Sequence, residues 1–318
     1  MVFQFRRNLI LIVRAGNFDP ADFVDIGNRI AARAPDIQVF VVDDAAPAGR
    51  LPEGIWASPT LTIAFRQRTK FKPKRGPFLF NRPIEKLDQA AMMGRHGVDV
   101  PQCDVFTPGM ALPQYRFGDF VILKPADLRH TSHGGSIQMF RRERLAKMGM
   151  ADFPRDHPVR HMPMLVQQFI DTGDYPTKYR ILTLFGEVLY CQHTKLTAKR
   201  PELAASDNIL ETAVIATNSG ERTYTPSGDP DVLNFARKTA GVFGGIPLLG
   251  IDVIQDVVTR HCYALEVNAG GNVWHFTSPM WAERRARYPE VTKDMHEQLG
   301  AFDVAAKALI SATRRLAS

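Results

Sequence analysis

The sequence predicts an α/β fold of the mixed, α+β kind, with a small N-terminal α/β lobe ahead of a larger lobe of hairpins and helices. Three observations predict it. Apolar runs at 8–13 and 38–42 flank a helical stripe at 20–33 carried by Phe23, Ile26, Gly27 and Ile30, the β-α-β order of a small parallel lobe. In segment 250–268, GIDVIQDVVTRHCYALEVN, two apolar-rich runs flank the connection Val258-Thr259-Arg260, which reads as a β-hairpin. Residues 301–316 carry the strongest helical pattern of the chain.

The remaining elements come in order. Gly16 comes after the first strand, but no G-x-G-x-x-G is present, so the dinucleotide fingerprint is absent. Residues 45–53 are rich in Pro, Ala and Gly and read as a loop. The run RQRTKFKPKR at 66–75 spaces cations by two, which suggests one charged face of an exposed strand. It is either a solvated surface segment or a contact for a polyanion, since Arg66, Arg68, Lys70, Lys72, Lys74 and Arg75 repel one another without an anion nearby. A helix is expected over 83–96, with Ile84, Leu87, Ala91 and Met92 inward and Gly97 ending it at C′. Strands are expected at 120–123 and 165–170, then a hairpin of 179–184 and 187–190 turning at Phe185-Gly186. A helix is expected over 229–243. The division expected is residues 1–82 for the small lobe and 83–318 for the large one.

Composition sets outer bounds. The 318 residues are 45% hydrophobic, enough to bury a sizeable core. The formal charge of +7 favours anionic partners, but a nucleotide or phosphorylated substrate accounts for it as well as nucleic acid. Nucleic acid is disfavoured further because the basic run lacks interleaved stacking aromatics. Cys103, Cys191 and Cys262 are sparse and odd in number, which argues against a disulfide framework and for a reducing, cytoplasmic setting. The apolar run 9–13 is too short to span a membrane.

Two places carry chemistry. With the turn centred on Thr259, Ile251 faces Val267 and Val253 faces Leu265, while Asp252 faces Glu266 on the other side of the sheet. Asn268 shares the face of Glu266. Opposed carboxylates either need a cation between them, for which Mg²⁺ with oxygen ligands is suited, or lie on a solvated outer face where they hardly interact. The segment alone admits both. The second place is Lys124 at the end of strand 120–123. A Lys there is costly to bury without an anion. The loop HTSHGGSI at 130–137 offers glycines and hydroxyls as donors to a phosphate, though it is not a Walker A pattern. Zinc spacing, a G-x-S-x-G elbow and a recognisable nucleophilic Cys are all missing.

Four separated pieces, in order, resemble the ATP-grasp carboxylate–amine ligases, with a glutathione-synthetase-like or D-alanine–D-alanine-ligase-like ATP-binding domain. They are KLDQAAMMGRHGVDVPQCDVF (86–106), FVILKPADLRHTSHGGSI (120–137), MLVQQFIDTGDYPTKYRILTLFGEVLYC (164–191) and LLGIDVIQD…YALEVNAGGN (248–272). The resemblance implies an ATP-grasp fold preceded by a small α/β pre-grasp domain. It implies that Lys86 and Lys124 contact the ATP phosphates. A flap containing Ser132, Gly134, Gly135 and Ser136 would close over them. The hinge Gln167, Gln168, Phe169 and Ile170 would read adenine through its backbone, and Asp174 would hold the ribose. Arg180, with Lys195 as a further phosphate contact, would serve the transferring group. Asp252, Glu266 and Asn268 would bind one or two Mg²⁺ (or Mn²⁺) ions. The chain departs from the family at Gln167-Gln168, where an acid is common, and at AGGN after Asn268, where the family has a loop with Pro and Ser.

The implied activity is an ATP- and Mg²⁺-dependent carboxylate–amine ligase working through an acyl phosphate on small-molecule or peptide substrates. The competing readings are a non-catalytic nucleotide-binding or regulatory protein and a small-molecule kinase. Trp274, His275 and Trp281 either line the substrate pocket or pack in the core. A homo-oligomer is left open.

Overall fold

The run RNLILIV lacks the polar alternation of a half-solvated strand, and it forms β1 (Arg7–Val13) in the middle of a sheet covered on both faces. Asp19 caps the following α1 (Pro20–Arg33), accepting from Ala21 N at 2.9 Å, with Pro20 in the first turn. Next come β2 (Ile37–Asp43), β3 (Thr60–Ala64) and β4 (Phe78–Phe80), which complete a four-stranded parallel sheet in the order β2-β1-β3-β4. The computed structural model describes residues 7–14, 16–44, 51–66, 69–126, 137–215, 217, 220–269 and 273–318.

The second part opens with α2 (Lys86–Arg95), which ends at Gly97 with φ of 68° as expected. Strand β5 (Cys103–Phe106), helix α3 (Gln114–Phe117), strands β6 (Phe120–Pro125) and β7 (Gln138–Arg141), helix α4 (Arg142–Lys147) and strand β8 (Met164–Gln168) come after it. The four strands make an antiparallel sheet ordered β5-β8-β6-β7. Lys124 and Pro125 still pair with Leu165 and Met164, so the strand runs two residues past its expected end at 123.

The third sheet is the largest. Its strands are β9 (Thr177–Leu184), β10 (Glu187–Leu196), β11 (Arg222–Pro226), β12 (Leu248–Gln255) and β13 (Cys262–Asn268), in the order β11-β10-β9-β12-β13. Helices α5 (Asp207–Glu211) and α6 (Pro230–Val242) lie between them in sequence, and α7 (Ala282–Arg287), α8 (Pro289–Glu297) and α9 (Ala301–Leu316) close the chain. One face of the sheet (Tyr179, Ile181, Leu249, Ile251, Val253) packs under α6. On the other face, Leu182, Leu184 and Leu248 join a core that runs on through α9 into α1 and β1. Helix α9 thus ties the two lobes together, with Asp303 bound by Arg29 at 2.8 Å and Arg33 at 2.6 Å.

Three local expectations are corrected. The described residues of 66–75 form no strand. Two of the charges are held by acids elsewhere: Arg66 lies 3.2 Å from Asp44 and Lys74 lies 2.6 Å from Glu53. The hairpin turn is set by Asp256, not centred on Thr259. Asp256 Oδ1 accepts from the amides of Val258 (3.0 Å) and Thr259 (2.7 Å), an Asx turn, and Arg260 takes φ of 61°. A bulge between Asp252 and Val253 then puts Val253 opposite Ala264, so the expected Val253–Leu265 pair does not form. The pairs nearer the strand ends, Ile251 with Val267 and Asp252 with Glu266, stand as expected.

Candidate functional site

The register of the large sheet writes the site. Asp252 pairs with Glu266 on one side and with Arg180 on the other, and Arg180 pairs in turn with Gln192. Paired residues share a face, so these four side chains form one row across β13, β12, β9 and β10. Lys178, two residues before Arg180, lies on the same face. The Asp252 carboxylate is buried at 6% exposure and meets two cations, Arg180 Nε at 2.9 Å from Oδ1 and Lys178 Nζ at 3.3 Å from Oδ2. The first contact is an ion pair without hydrogen-bond geometry, which leaves Oδ1 buried and without a hydrogen bond. In the amide orientation that satisfies both its ends, Asn268 donates to Glu266 Oε1 and accepts from Arg180 Nη1, each at 2.9 Å. Gly250 makes room for this arrangement: a Cβ there would come within 3.2 Å of Arg180 Nη1 and 3.0 Å of Val273.

Those oxygens suit a hard divalent ion. Mg²⁺ is typically held by one or two carboxylates and completes its shell with water and phosphate oxygens. An orphaned carboxylate oxygen beside a second carboxylate and an amide meets that need. No cluster of three His, Cys, Asp or Glu side chains fit for a metal occurs among the described residues.

Across from this row stand two lysines. Lys86 begins α2, and α2 is clipped to β13 by Gln89, whose amide donates to Val267 O at 2.9 Å and accepts from Val267 N at 2.8 Å. Val267 lies between Glu266 and Asn268, so the clip sets the lysine helix against the acids. Lys124 projects from β6 and donates to Gln167 Oε1. Burial holds the Lys124 ammonium below the ordinary lysine range; Lys86 adds to this, whereas Cys103 and Glu266 act the other way. Lys86, Lys124, Cys103, Gln167, Pro101 and Leu265 line a small cavity between the two antiparallel sheets.

A comparison with protein-family models finds no match. A comparison with curated protein sequences finds none either. Solved structures do match. The ATP-grasp ligase PsnB, complexed with a precursor peptide and AMPPNP, is similar over 96% of this chain and 98% of its own at 15% identity, with a TM-score of 0.52. The macrocyclase MdnC bound with a precursor peptide, from Microcystis aeruginosa, is similar over 96% and 99% at 12% identity and a TM-score of 0.49. D-alanine–D-alanine ligase from Bacillus anthracis with ATP is similar over 98% and 98% at 11% identity and a TM-score of 0.43. The chain has the ATP-grasp fold.

Within this ATP-grasp fold the residues singled out from the sequence fall into three groups. Lys86, Lys124 and Gln167 gather around the small cavity, and Arg180, Asp252, Glu266 and Asn268 gather on the large sheet. The segment expected as the hinge spans the end of β8: the amides of Gln168 and Phe169 donate to Gln102 O (2.8 Å) and Phe120 O (3.2 Å), and Ile170 comes next, buried. Two residues stand apart. Asp174 is exposed and paired with Lys199 at 3.0 Å. Lys195 pairs with Thr177, on the opposite face from Arg180, and its ammonium lies 4.7 Å from the centre of the Tyr175 ring. Ser132, Gly134, Gly135 and Ser136 lie outside the described residues, as do His130 and His133.

Trp274 packs in the core at 0% exposure, stacked on Phe23 with ring centres 4.9 Å apart. His275 is buried between Trp281, stacked at 4.0 Å, and Tyr190, whose hydroxyl is 2.9 Å from Nδ1. Burial and then the charges of Arg180, Arg284, Lys178 and Arg285 hold His275 neutral. Sequence reasoning missed Lys178, Gln89 and Gln192. The K-x-R spacing of Lys178 and Arg180 was a usable signal for Lys178. No local pattern marks the other two.

Proposed function

We propose that the chain is an ATP- and Mg²⁺-dependent carboxylate–amine ligase that works in the cytoplasm and divides functionally into residues 1–82 and 83–318. The observation that carries this reading is the row Glu266–Asp252–Arg180, with Asn268 bridging it, facing Lys86 and Lys124. PsnB, whose fold the chain shares, has been solved with its minimal precursor, Mg and ADP.

Asp252, Glu266 and Asn268 would hold Mg²⁺, which supplies charge neutralisation on phosphoryl oxygens. Lys124 and Lys86 would bind the phosphate oxygens of ATP. The hinge from Gln167 to Ile170 would seat the base. Asp174, the flap 132–136 and Lys195 belong to the same reading, with Asp174 giving up Lys199 for the ribose and Lys195 standing on the face opposite Arg180. Arg180 would leave Asp252 for the transferring phosphoryl group. In the reaction, a substrate carboxylate oxygen bonds to the γ-phosphorus as the bond to ADP breaks. An amine then displaces phosphate from the acyl phosphate and loses a proton. This chain's part is to position the reactants and offset their charge, so no nucleophilic side chain is required.

Calorimetry of ATP binding with and without Mg²⁺ tests the reading. Tight binding that depends on the ion, followed by release of ADP and phosphate with a carboxylate–amine pair, is the expected result. No ATP binding in wild type sinks it, and a stable phosphorylated product makes the protein a kinase. The depressed pKa of Lys124 adds a second expectation. Burial favours its neutral form, while a bound phosphate favours the charged one, so binding takes up protons wherever the free protein is partly deprotonated. At alkaline pH below the ordinary lysine value, the heat of ATP binding should vary with buffer ionisation enthalpy in the sense of proton uptake. Lys124→Met should abolish that variation.

A further inference from the structure

We propose that the face of the large sheet beyond Asp252, bounded by Lys178, Gln192 and Arg284, is a subsite for a second carboxylate on the substrate together with a neighbouring N–H donor. The role in substrate binding rests on the ligase reading; the site itself rests on the unbalanced cations of this face and on the open acceptor of Gln192.

Two rows of side chains cross this face. One is Asp252, Arg180 and Gln192; the other is Lys178, Thr194 and Tyr224. Neighbours within a row are about 5 Å apart and diagonal neighbours about 7–8 Å. Arg284, on α7, hangs over the end of the second row, 4.6 Å above the Trp281 ring and 6.0 Å above that of Tyr224. Four cations, Arg180, Arg284, Lys178 and Arg285, lie near enough to the buried His275 to help hold its pKa down. The lysines assigned to the nucleotide lie on the far side of Asp252, by Glu266.

The charges on this face do not balance. Arg284 has no ion pair among the described residues, and burial holds its pKa down. Lys178 is 20% exposed at its side chain, and Asp252 is its one acidic partner among the described residues. A divalent ion on Asp252 removes that partner. A half-buried ammonium and a half-buried guanidinium then face the same space without an anion, an arrangement that is costly unless a ligand supplies one. Arg285, by contrast, is satisfied, donating to Ser278 O at 2.7 Å and to Thr277 O at 3.3 Å.

Gln192 names the second half of the ligand. It is 3% exposed, on the same face, and its Oε1 has no hydrogen-bond partner. A buried carbonyl oxygen left open asks for a donor. A phosphate monoester as the dianion, ROPO3²⁻, offers none and would set lone pair against lone pair. A carboxylate with an adjacent amide or amine N–H fits both the cations and the acceptor, and the guanidinium fork suits the planar carboxylate.

The test is calorimetric titration of the full chain, loaded with Mg²⁺ and a non-hydrolysable ATP analogue. The probes are glutarate, which has carboxylates only, and N-acetyl-L-glutamate, which adds the N–H. Wild type is expected to bind both, and N-acetyl-L-glutamate more tightly. Arg284→Gln is expected to weaken both roughly tenfold or more. It should melt at or above the wild-type temperature, because a desolvated cation without an acid partner is removed. Gln192→Leu is expected to erase the preference between the probes. Wild type that binds neither probe overturns the proposal, and so does Arg284→Gln that binds both as tightly as wild type. If the ATP analogue itself fails to bind, the ligase reading falls separately. The same titrations on nucleotide-free protein then decide the subsite by the same criteria.

Discussion

Glu266→Gln is expected to abolish the Mg²⁺-dependent part of ATP binding and any release of ADP, while the protein stays folded. Glu266 stands directly opposite Asp252, and the substitution keeps its shape and removes one charge. The bond from Asn268 to Oε1, at 2.9 Å, has the same acceptor in glutamine. Relief of two opposed carboxylates offsets any loss of stability. Changing only a residue behind a metal ligand commonly costs 10–100-fold in affinity, so losing a ligand charge should cost more than about 100-fold. The check is calorimetry in the presence and absence of the ion, with melting temperature as control. A variant whose ATP affinity still rises with Mg²⁺ as in wild type would remove Glu266 from the metal site.

Trp274→Ala should produce the largest loss of stability. The ring is fully buried between Phe23 and Phe302, and its Nε1 donates to Asp22 Oδ2 at 2.7 Å. Asp22 is itself buried, and burial raises its pKa against the help of that bond and one from Thr277. Truncation therefore opens a cavity and strips a buried carboxylate of a donor. The cavity alone is worth about 3–5 kcal/mol. At roughly 2–4 °C per kcal/mol for a domain of some 200 residues, melting should fall by on the order of 10 °C. A variant that melts like wild type but no longer binds substrate would return Trp274 to the substrate pocket.

What the sequence made legible comes from periodicity. β1, α1 and α9 are long, regular and either wholly buried or cleanly striped, and the structure has α1 and α9 at the limits expected. The Asp252–Glu266 pair was legible because a period of two fixes the face once a hairpin is recognised. The bulge beside it was not, since an extra residue in β13 answers to twist and packing instead of residue type. The short strands β3, β4, β5, β7 and β11 escaped for a related reason. Their three-dimensional partners define them, and CDVF or RTYTP alone carries too few residues to show a period. Lys178 and Gln192 were missed because the strands were expected to begin at 179 and end at 190; the structure extends them to 177 and 196, which brings both residues onto the site.

The Gln89 clip has a thermodynamic consequence. Through two hydrogen bonds to Val267, the helix bearing Lys86 and the strand bearing Glu266 and Asn268 behave as one body. Whatever draws the lysine toward phosphate also displaces the ion's ligands, and the reverse holds. Nucleotide and metal bound at these residues would then share a single conformational equilibrium, and linkage requires that each change the other's affinity by the same factor. One buried amide, distant in sequence from every group that would touch either ligand except Lys86, would help set how large that factor is.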